Sequence, residues 1–324
     1  MPQPAVSLEP LPPIDALTVN AVLMAVRQAA NVLCDRWSLL TLLLAQAGVN
    51  RFGEFSERSG MANRLLTGRL AMLEAQEIMV RMPYMRRPLR YEYHLTHMGL
   101  ELFDMFTAMA RWERTWHGEG GIGLRIEHIA CGAASVLPAS HCAACDAPMA
   151  SRDIWLTVSQ RSIEKMPAKD TAHRRSTFNA ARRGSGEAIP LVHAIDVFGD
   201  KWGIELVMCL FTRVRNFGDF QAHLGISTNI LSERLARLLA LGILRQTTED
   251  ERYGKGAYAL TPKGLDLYLI LLAIQTWADK WLRDRLRSPI KFLHRPCGKP
   301  LQLKISCDHC GEPLVRGNSR ILLG

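Results

Sequence analysis

The sequence predicts a mainly α protein with small β-hairpins, built as two tandem copies of one domain, each followed by a short Cys/His-rich β element. An offset of 165 positions superimposes most of the first half of the chain on the second half without a gap. Within each half, hydrophobic residues recur at helical spacing over several segments and then alternate over two short ones. At 324 residues the chain also exceeds what one hydrophobic core usually organises, which favours two domains.

The internal repeat keeps its register over roughly 80 residues. The matching segments are Asp35-Arg36-Trp37 with Asp200-Lys201-Trp202, Phe52-Gly53-Glu54-Phe55 with Phe217-Gly218-Asp219-Phe220, Leu66 to Leu70 with Leu231 to Leu235, Leu95-Thr96 with Leu260-Thr261, and Trp112 and Trp116 with Trp277 and Trp281. A repeat of this length is too long for a solenoid unit, so it indicates two complete domains of the same fold.

The elements of the first repeat follow from periodicity and from glycine positions. We expect helices over 19–33, 39–45, 53–59, 62–76 and 99–116, with two strands over 78–82 and 91–95 before the last helix. Helices, a turn, a further helix, a β-hairpin and a last helix form the order of a winged helix-turn-helix domain. The last helix carries too much apolar surface for a peripheral helix, so we expect it to pack on a second copy of the domain.

The helix over 62–76 is the predicted recognition helix. Its leucines Leu66, Leu70 and Leu73 share one face, while Arg64 and Thr67 lie on the opposite face. A helix that buries one side and offers hydrogen-bonding groups on the other suits the major groove of DNA.

At this level of detail the sequence resembles the HxlR family of regulators. The resemblance rests on the D-[RK]-W start, the F-G-[ED]-F element, the L-[TS]-x-R-L recognition helix, the Y-x-L-T strand and the glycine that follows it; it spans 20–116 and 189–281. One departure is Cys34, which stands where the family pattern usually has glycine and the second repeat has Gly199. The family implies binding to double-stranded DNA as dimers, with terminal helices at the dimer contact.

The resemblance and helical geometry together indicate candidate DNA contacts. On the recognition helices these are Asn63, Arg64, Thr67, Arg69, Thr228, Asn229, Ser232 and Arg234; on the hairpin wings they are Arg86, Arg87, Arg90, Arg252 and Lys255. Arg64 can pair with guanine and Asn229 with adenine, whereas the wing cations would meet phosphates or the minor groove. Because the two helices differ, we expect two unlike half-sites. Arg69 and Arg234 lie nearest the buried edge, so a structural role for them stays open.

The cysteines form a duplicated metal-ligand pattern. His128-x-x-Cys131 is followed after ten residues by Cys142-x-x-Cys145, and His294-x-x-Cys297 after nine residues by Cys307-x-x-Cys310. Two such pairs supply the four ligands of a structural zinc site, so we expect one knuckle in each repeat and up to two zinc ions per chain. His141 and His309 are close enough to replace the histidine ligand. Thiol redox sensing is the alternative for these cysteines.

Two further cysteines lie outside this pattern. Cys209 lies in an apolar run and is interpreted as a core thiol. Cys34, at the end of the first helix, is a candidate sensor thiol.

These predictions divide the chain into a disordered lead (1–19), winged-helix domain 1 (20–117), Cys/His knuckle 1 (118–158), a basic linker (159–188), winged-helix domain 2 (189–283) and Cys/His knuckle 2 (284–324). The net charge of +9 is carried by the linker and the second repeat, and it favours polyanionic partners. The sequence leaves open whether the repeats pair within one chain or across a homodimer. It also names no small-molecule effector.

Other function classes are less consistent with the sequence. No phosphate-binding loop, nucleophile elbow, zinc-protease or dinucleotide motif is present, so we do not expect an enzyme. The lead lacks the basic and apolar regions of a secretory signal, and charged residues interrupt the longest apolar runs, so we expect a cytoplasmic protein with no membrane partner. A winged-helix module that docks proteins instead of DNA remains the alternative function.

Overall fold

The computed structural model describes residues 15–118, 123–134, 136–158, 190–248, 256–282 and 290–323. The first repeat contains, in order, α1 (Ala16–Leu33), α2 (Arg36–Gln46), α3 (Phe52–Ser59), α4 (Asn63–Ala75), β1 (Met79–Arg86), β2 (Leu89–Leu95), α5 (His97–Leu100), α6 (Phe103–His117), β3 (Leu124–His128), β4 (Ala139–Cys142), a 3₁₀ turn (Ser151–Asp153) and β5 (Ile154–Val158). The predicted order of helices and hairpin is confirmed.

The second repeat follows the same order. It contains α7 (Val192–Phe198), α8 (Lys201–Phe211), α9 (Phe217–Leu224), α10 (Thr228–Ala240), β6 (Leu244–Gln246), β7 (Tyr258–Leu260), α11 (Pro262–Leu265), α12 (Tyr268–Trp281), β8 (Ile290–His294), β9 (Leu303–Ser306) and β10 (Ser319–Leu323). The predicted basic linker, 159–188, lies outside the described residues, as do 1–14 of the predicted lead.

Two predicted boundaries are wrong. The first helix begins at Ala16, inside the predicted lead, because the side chain of Asp15 caps it by accepting a hydrogen bond from the backbone N–H of Thr18 at 2.6 Å. The predicted last helix is two helices, α5 and α6, separated by Glu101 and Leu102. The side chain of Thr96 caps the first of these by accepting from the N–H of Gly99.

The glycine after each hairpin is required by close packing. A Cβ atom on Gly99 would lie 2.3 Å from the backbone oxygen of Ile78, and one on Gly264 would lie 2.2 Å from that of Ile243. At both positions the short helix therefore packs against the residue that precedes the first strand of its own hairpin. This contact explains the shared glycine in the repeat pattern.

The first hairpin is described in full, and the second near its base. Strands β1 and β2 pair antiparallel from Met79 opposite Leu95 to Arg86 opposite Leu89. Within the described residues, strands β6 and β7 pair over three residues, from Leu244 opposite Leu260 to Gln246 opposite Tyr258. The tip of the second hairpin, 249–255, lies outside the described residues.

The two repeats share one hydrophobic core. Helix α6 packs against α12, α1 against α8, and α2 against α7, so helices of one repeat lie on helices of the other. At the α1–α8 contact, the guanidinium of Arg27 forms a 2.8 Å ion pair with the buried carboxylate of Glu205. The two repeats thus pack on each other within one chain.

The segments after α6 and α12 pair across the repeats as well. Strand β3 pairs with β10, β4 with β9, and β5 with β8, all antiparallel. We call the described parts of 124–158 and 290–323 the crossed ribbon. The expectation of two separate knuckles is wrong, because each two-stranded sheet of the crossed ribbon takes one strand from each repeat.

Among the described residues, α1 has the length and apolar composition that a membrane-crossing helix would need. Nine of its eighteen residues are buried inside the protein, and it packs against α8. We therefore interpret α1 as a core helix.

Candidate nucleic-acid interface and metal clusters

The first predicted recognition helix, α4, has the expected two faces. Its buried residues are Leu66, Leu70 and Leu73, whereas Arg64 and Thr67 are exposed. Arg64 has no ion-pair partner in the part of the chain that the structure describes. Its guanidinium is thus available to a ligand.

The second recognition helix, α10, buries Leu231, Leu235 and Leu238 at the equivalent positions. The exposed positions carry Asn229, Ser232 and Glu233. The two helices therefore present different hydrogen-bonding groups from the same framework.

A side-chain contact fixes the turn between the last two helices of each helix-turn-helix unit. The hydroxyl of Ser56 on α3 lies 3.0 Å from Oδ1 of Asn63 at the start of α4. In the second repeat, Nε2 of Gln221 donates to the hydroxyl of Thr228 at 3.0 Å. Asn63 and Thr228 are thus engaged in positioning the recognition helices, although both remain exposed.

Arg69 and Arg234 are placed differently from the other predicted DNA contacts. Arg69 forms a 3.1 Å ion pair with Asp35 at the start of α2, and Arg234 pairs with the equivalent Asp200 at the start of α8. Arg234 is only 5% exposed. The burial of its guanidinium against its own domain favours the structural role that the sequence left open for Arg234; Arg69 is held in the same way with more exposure.

The described wing presents its arginines to solvent. Arg86, Arg87 and Arg90 are exposed at the end of the β1–β2 hairpin, and the described residues offer them no ion-pair partner. Exposed cations without fixed partners suit phosphate contacts, which depend on charge and not on base identity. The corresponding predictions for Arg252 and Lys255 lie outside the described residues.

Matched tryptophan contacts hold the repeats together. Nε1 of Trp112 donates to the backbone oxygen of Lys263 at 3.0 Å, and Nε1 of Trp277 donates to that of Met98 at 2.8 Å. Trp116 and Trp281 donate in the same way to the carboxylates of Asp266 and Glu101. Each contact crosses from one repeat to the other, and the partners are related by the repeat offset. The two repeats are thus joined by reciprocal contacts within one chain.

Eight metal-binding side chains form two clusters. One contains His128, Cys131, Cys307 and Cys310, and the other Cys142, Cys145, His294 and Cys297. The ligand atoms of each cluster lie within 4.8 Å of one another. All eight predicted ligands are therefore brought together, but the expected grouping is wrong: each cluster combines the H-x-x-C pair of one repeat with the C-x-x-C pair of the other.

The interatomic distances fit a tetrahedral ion. Nδ1 of His128 lies 3.2 Å from Sγ of Cys131 and 3.3 Å from Sγ of Cys310, and Sγ of Cys131 lies 3.8 Å from that of Cys307. Thiolates at about 2.3 Å from a tetrahedral zinc ion are themselves about 3.8 Å apart. In the second cluster, Nδ1 of His294 lies 3.3 Å from Sγ of both Cys145 and Cys297.

The surroundings also favour a bound cation. Both histidine side chains are buried, with Nδ1 facing the thiols. A hydrogen bond from the backbone N–H of Lys299 lowers the pKa of the Cys297 thiol to about 7, aided by the His294 ring and the neighbouring thiols. The thiolate is the form that binds metal.

The turn after each C-x-x-C pair has left-handed backbone. Gly311 follows Cys310 with φ 75°, and Asp146 follows Cys145 with φ 59°. Aspartate is one of the few residue types that tolerate this conformation. The carboxylate of Asp146 also forms a 2.7 Å ion pair with Lys304 of the other repeat. The sequence pattern has a glycine at only one of these two turns.

The structure argues against Cys34 as a sensor. Its side chain is 3% exposed, and burial raises the pKa of its thiol to about 12. The thiolate required for oxidation is therefore disfavoured, and a sensor role for Cys34 stays a prediction that the site does not support. Cys209 is buried as expected, and burial raises the pKa of its thiol too.

The sequence analysis did not identify three acidic residues that support the helix-turn-helix domains through ion pairs and helix capping. Asp35 and Asp200 belong to the repeated D-[RK]-W start, and this repetition was the signal for a shared structural role. Glu113 gave no signal because the equivalent residue of the second repeat is Ala278. Glu113 is fully buried on α6. Its carboxylate accepts a hydrogen bond from the backbone N–H of Ala194 at 2.9 Å and so caps α7 of the other repeat.

The fold and the exposed helices define a two-headed helix-turn-helix protein. The HxlR-like helix-turn-helix model matches residues 32–120 and 197–285, together more than half of the chain. The chain belongs to this family, whose curated relatives are named as HTH-type transcriptional regulators.

Three relatives show the extent of the similarity. An uncharacterised HTH-type transcriptional regulator of Mycobacterium tuberculosis is 30% identical over 138 residues, which cover 43% of this chain and 86% of the relative. The corresponding values are 30%, 31% and 75% for one of Synechocystis, and 32%, 28% and 83% for YvaP of Bacillus subtilis. Each of these relatives is at most about half as long as this chain. This ratio is expected if the chain carries two copies of their domain. No solved structure matches the chain.

Proposed function

We propose that this protein is a sequence-specific transcriptional regulator that reads two unlike DNA half-sites with the two recognition helices of a single chain. The observation that carries this proposal is the pair α4 and α10, which expose different polar residues from equivalent positions of a two-fold framework. The family resemblance implies that two domains bind DNA together as a dimer, and in this chain two such domains are already paired. Each free chain then needs no second copy to form a two-headed binder.

The chemistry of the exposed residues suggests different bases in the two half-sites. Arg64 can donate two hydrogen bonds to the O6 and N7 atoms of guanine, and Asn229 can pair with the N6 and N7 atoms of adenine. Each such pair contributes about 1 to 3 kcal/mol of discrimination. Thr67 and Ser232 are one helical turn further along and offer hydroxyls to neighbouring bases.

The wings would supply affinity without sequence preference. Arg86, Arg87 and Arg90 are the phosphate contacts proposed for the first wing, and Arg252 and Lys255 those for the second. Such contacts release condensed counterions, so their contribution falls as salt rises.

We also infer that the two cysteine–histidine clusters bind zinc as structural sites, up to two ions per chain. Four protein ligands leave no open coordination position for a substrate or an activated water molecule. Metal analysis of protein purified under reducing conditions is expected to find one to two zinc ions per chain. Finding none would contradict the zinc assignment and leave the DNA proposal standing.

A protein-docking role is the second candidate function. The first wing exposes Met82, Tyr84, Met85 and Leu89, which is more apolar surface than phosphate contacts need. A docking module would bind its partner with little dependence on salt and would have no specific DNA site.

The experiment is a binding assay with promoter DNA from the gene neighbourhood of the protein. Binding is measured over a salt series against scrambled competitor, with Arg64→Ala, Asn229→Ala and the control Arg152→Ala, an exposed arginine of the crossed ribbon. A protected site that is weakened by the first two substitutions and not by the control supports the proposal. Equal competition by scrambled DNA would contradict it and favour docking. A chromosomal regulator of this kind would work in the cytoplasm.

A further inference from the structure

The crossed ribbon places both metal clusters at the junction of the repeats. The H-x-x-C turn of the first repeat lies at the end of β3, which pairs with β10, and the C-x-x-C turn of the second repeat follows β9. The second cluster reverses these roles, with β8 and β4. Each cluster therefore takes two residues from each repeat.

We propose that each zinc ion cross-links the two repeats, and that the two ions together fix the separation of the two recognition helices. This inference rests on the proposed zinc binding and gives it a role in the proposed DNA reading. The ion expected is a thiophilic divalent cation that accepts three thiolates and one imidazole in a tetrahedron, which describes Zn²⁺.

The sequence separation of the ligands shows why sharing matters. Cys310 and His128, in one cluster, are 182 positions apart, and Cys145 and His294, in the other, are 149 positions apart. A bridge between distant positions removes more freedom from the unfolded chain than a bridge within one short knuckle, although the gain grows slowly with length. More directly, a shared ion resists separation of the repeats, which an ion held within one repeat would not do.

The crossed ribbon is also joined to the reading domains by hydrogen bonds. Nη2 of Arg316 donates to the backbone oxygen of Gln46 at the end of α2, at 3.0 Å. The side chain of Gln46 in turn donates to the backbone oxygen of Gly99 at 2.9 Å. On the other side, the hydroxyl of Tyr268 on α12 donates to the backbone oxygen of Met149 at 2.6 Å. These hydrogen bonds connect the crossed ribbon to the first winged domain and to α12.

Two double variants of the full chain test the sharing. Cys131→Ser/Cys307→Ser removes two ligands from one cluster, whereas Cys131→Ser/Cys142→Ser removes one ligand from each. Cys142 and Cys307 are equivalent in the repeat and both buried, so each double variant is the matched control of the other. Zinc content is measured, and Co²⁺ titration reports thiolate coordination by its absorption.

The first double variant is expected to keep one tightly bound ion with a thiolate–cobalt band of about half the wild-type intensity, and the second to lose tight binding at both sites. The reverse result would show ligand sets confined to single repeats and would overturn the proposal. Loss of both ions from both variants would overturn the claim of two separate shared sites. None of these outcomes depends on DNA binding, so failure of the DNA proposal is recognised separately.

A distance measurement tests the effect on the recognition helices. Spin labels are attached through unnatural amino acids at positions 64 and 229, which avoids new cysteines, and the distance distribution is recorded with and without zinc and in Cys131→Ser/Cys142→Ser. A narrow distribution that broadens or shifts on zinc removal is expected, at unchanged helix content by circular dichroism. An identical distribution in all samples would overturn the role of zinc in setting the separation.

Discussion

The two repeats share their tryptophan contacts at the junction but differ on the exposed faces of their recognition helices. At the junction, Trp112 and Trp277 donate to equivalent backbone oxygens of the opposite repeat. On the exposed faces of the recognition helices, Arg64 occupies the position that Asn229 has in the second repeat. Equivalent contacts position both helix-turn-helix domains. The residues that differ between the two recognition helices can therefore read different DNA sequences.

The largest expected effect tests the likeness of the junction. Trp112→Ala and Trp277→Ala each remove a nearly fully buried ring and should each lower the free energy of unfolding by about 3 to 5 kcal/mol. Trp116→Ala is the control, because this ring is 38% exposed and its removal should cost about 1 kcal/mol. Chemical denaturation of the three variants measures these values. A large effect from only one of the two buried rings would break the symmetry of the junction.

The next prediction compares the ion pair between Arg234 and Asp200 with the equivalent pair of Arg69 and Asp35, which is more exposed. Arg234→Met leaves the buried carboxylate of Asp200 without its guanidinium and should cost about 3 kcal/mol. Arg69→Met removes the more exposed equivalent and should cost about 1 kcal/mol or less. Denaturation curves at one pH compare them. Equal costs would show that the difference in burial has no energetic consequence.

A substitution that exchanges reading residues sharpens the difference between the heads. Arg64→Asn should lower affinity for the first half-site by about 1 to 3 kcal/mol and shift its preference from guanine toward adenine. The second half-site should be unaffected. Selection of binding sites from random DNA with wild type and variant gives the comparison, and a change at both half-sites would contradict independent reading.

The first wing should contribute a uniform and salt-dependent part of the affinity. Replacing Arg86, Arg87 and Arg90 by alanine should reduce the slope of log affinity against log salt by about 0.9 for each DNA phosphate that is no longer neutralised, so by at most about 3. Relative preferences among DNA sequences should stay the same. Altered sequence preference at unchanged salt slope would instead indicate that this wing reads bases.

The smallest expected effect concerns Cys34. Because its thiol is buried and its pKa is raised to about 12, Cys34→Ser should leave the response of DNA affinity to peroxide unchanged. Binding assays before and after oxidant treatment check this. A response that disappears in the variant would restore Cys34 as a sensor.

Much of the fold was predictable because it depends on local patterns. The spacing of Leu66, Leu70 and Leu73 identified the buried face of α4, and the offset of 165 positions transferred that face to α10. All eight members of the metal clusters were likewise predictable from H-x-x-C and C-x-x-C spacing.

The grouping of those ligands was not predictable, because local spacing is the same whether a turn meets its own repeat or the other one. The pairing of β3 with β10, of β4 with β9 and of β5 with β8 decides this, and strand partners distant in sequence leave no local signal. The role of Arg234 was missed in part for a similar reason, since its partner Asp200 lies on another helix.

The mass of the complex with a selected two-half-site DNA tests the central claim most directly. Light scattering after size-exclusion chromatography should find one 36.3 kDa chain both free and on each DNA duplex, with both half-sites protected in a footprint of the same sample. Two chains on each two-half-site duplex, each protecting one half-site, would contradict the account of one chain as a complete two-headed reader.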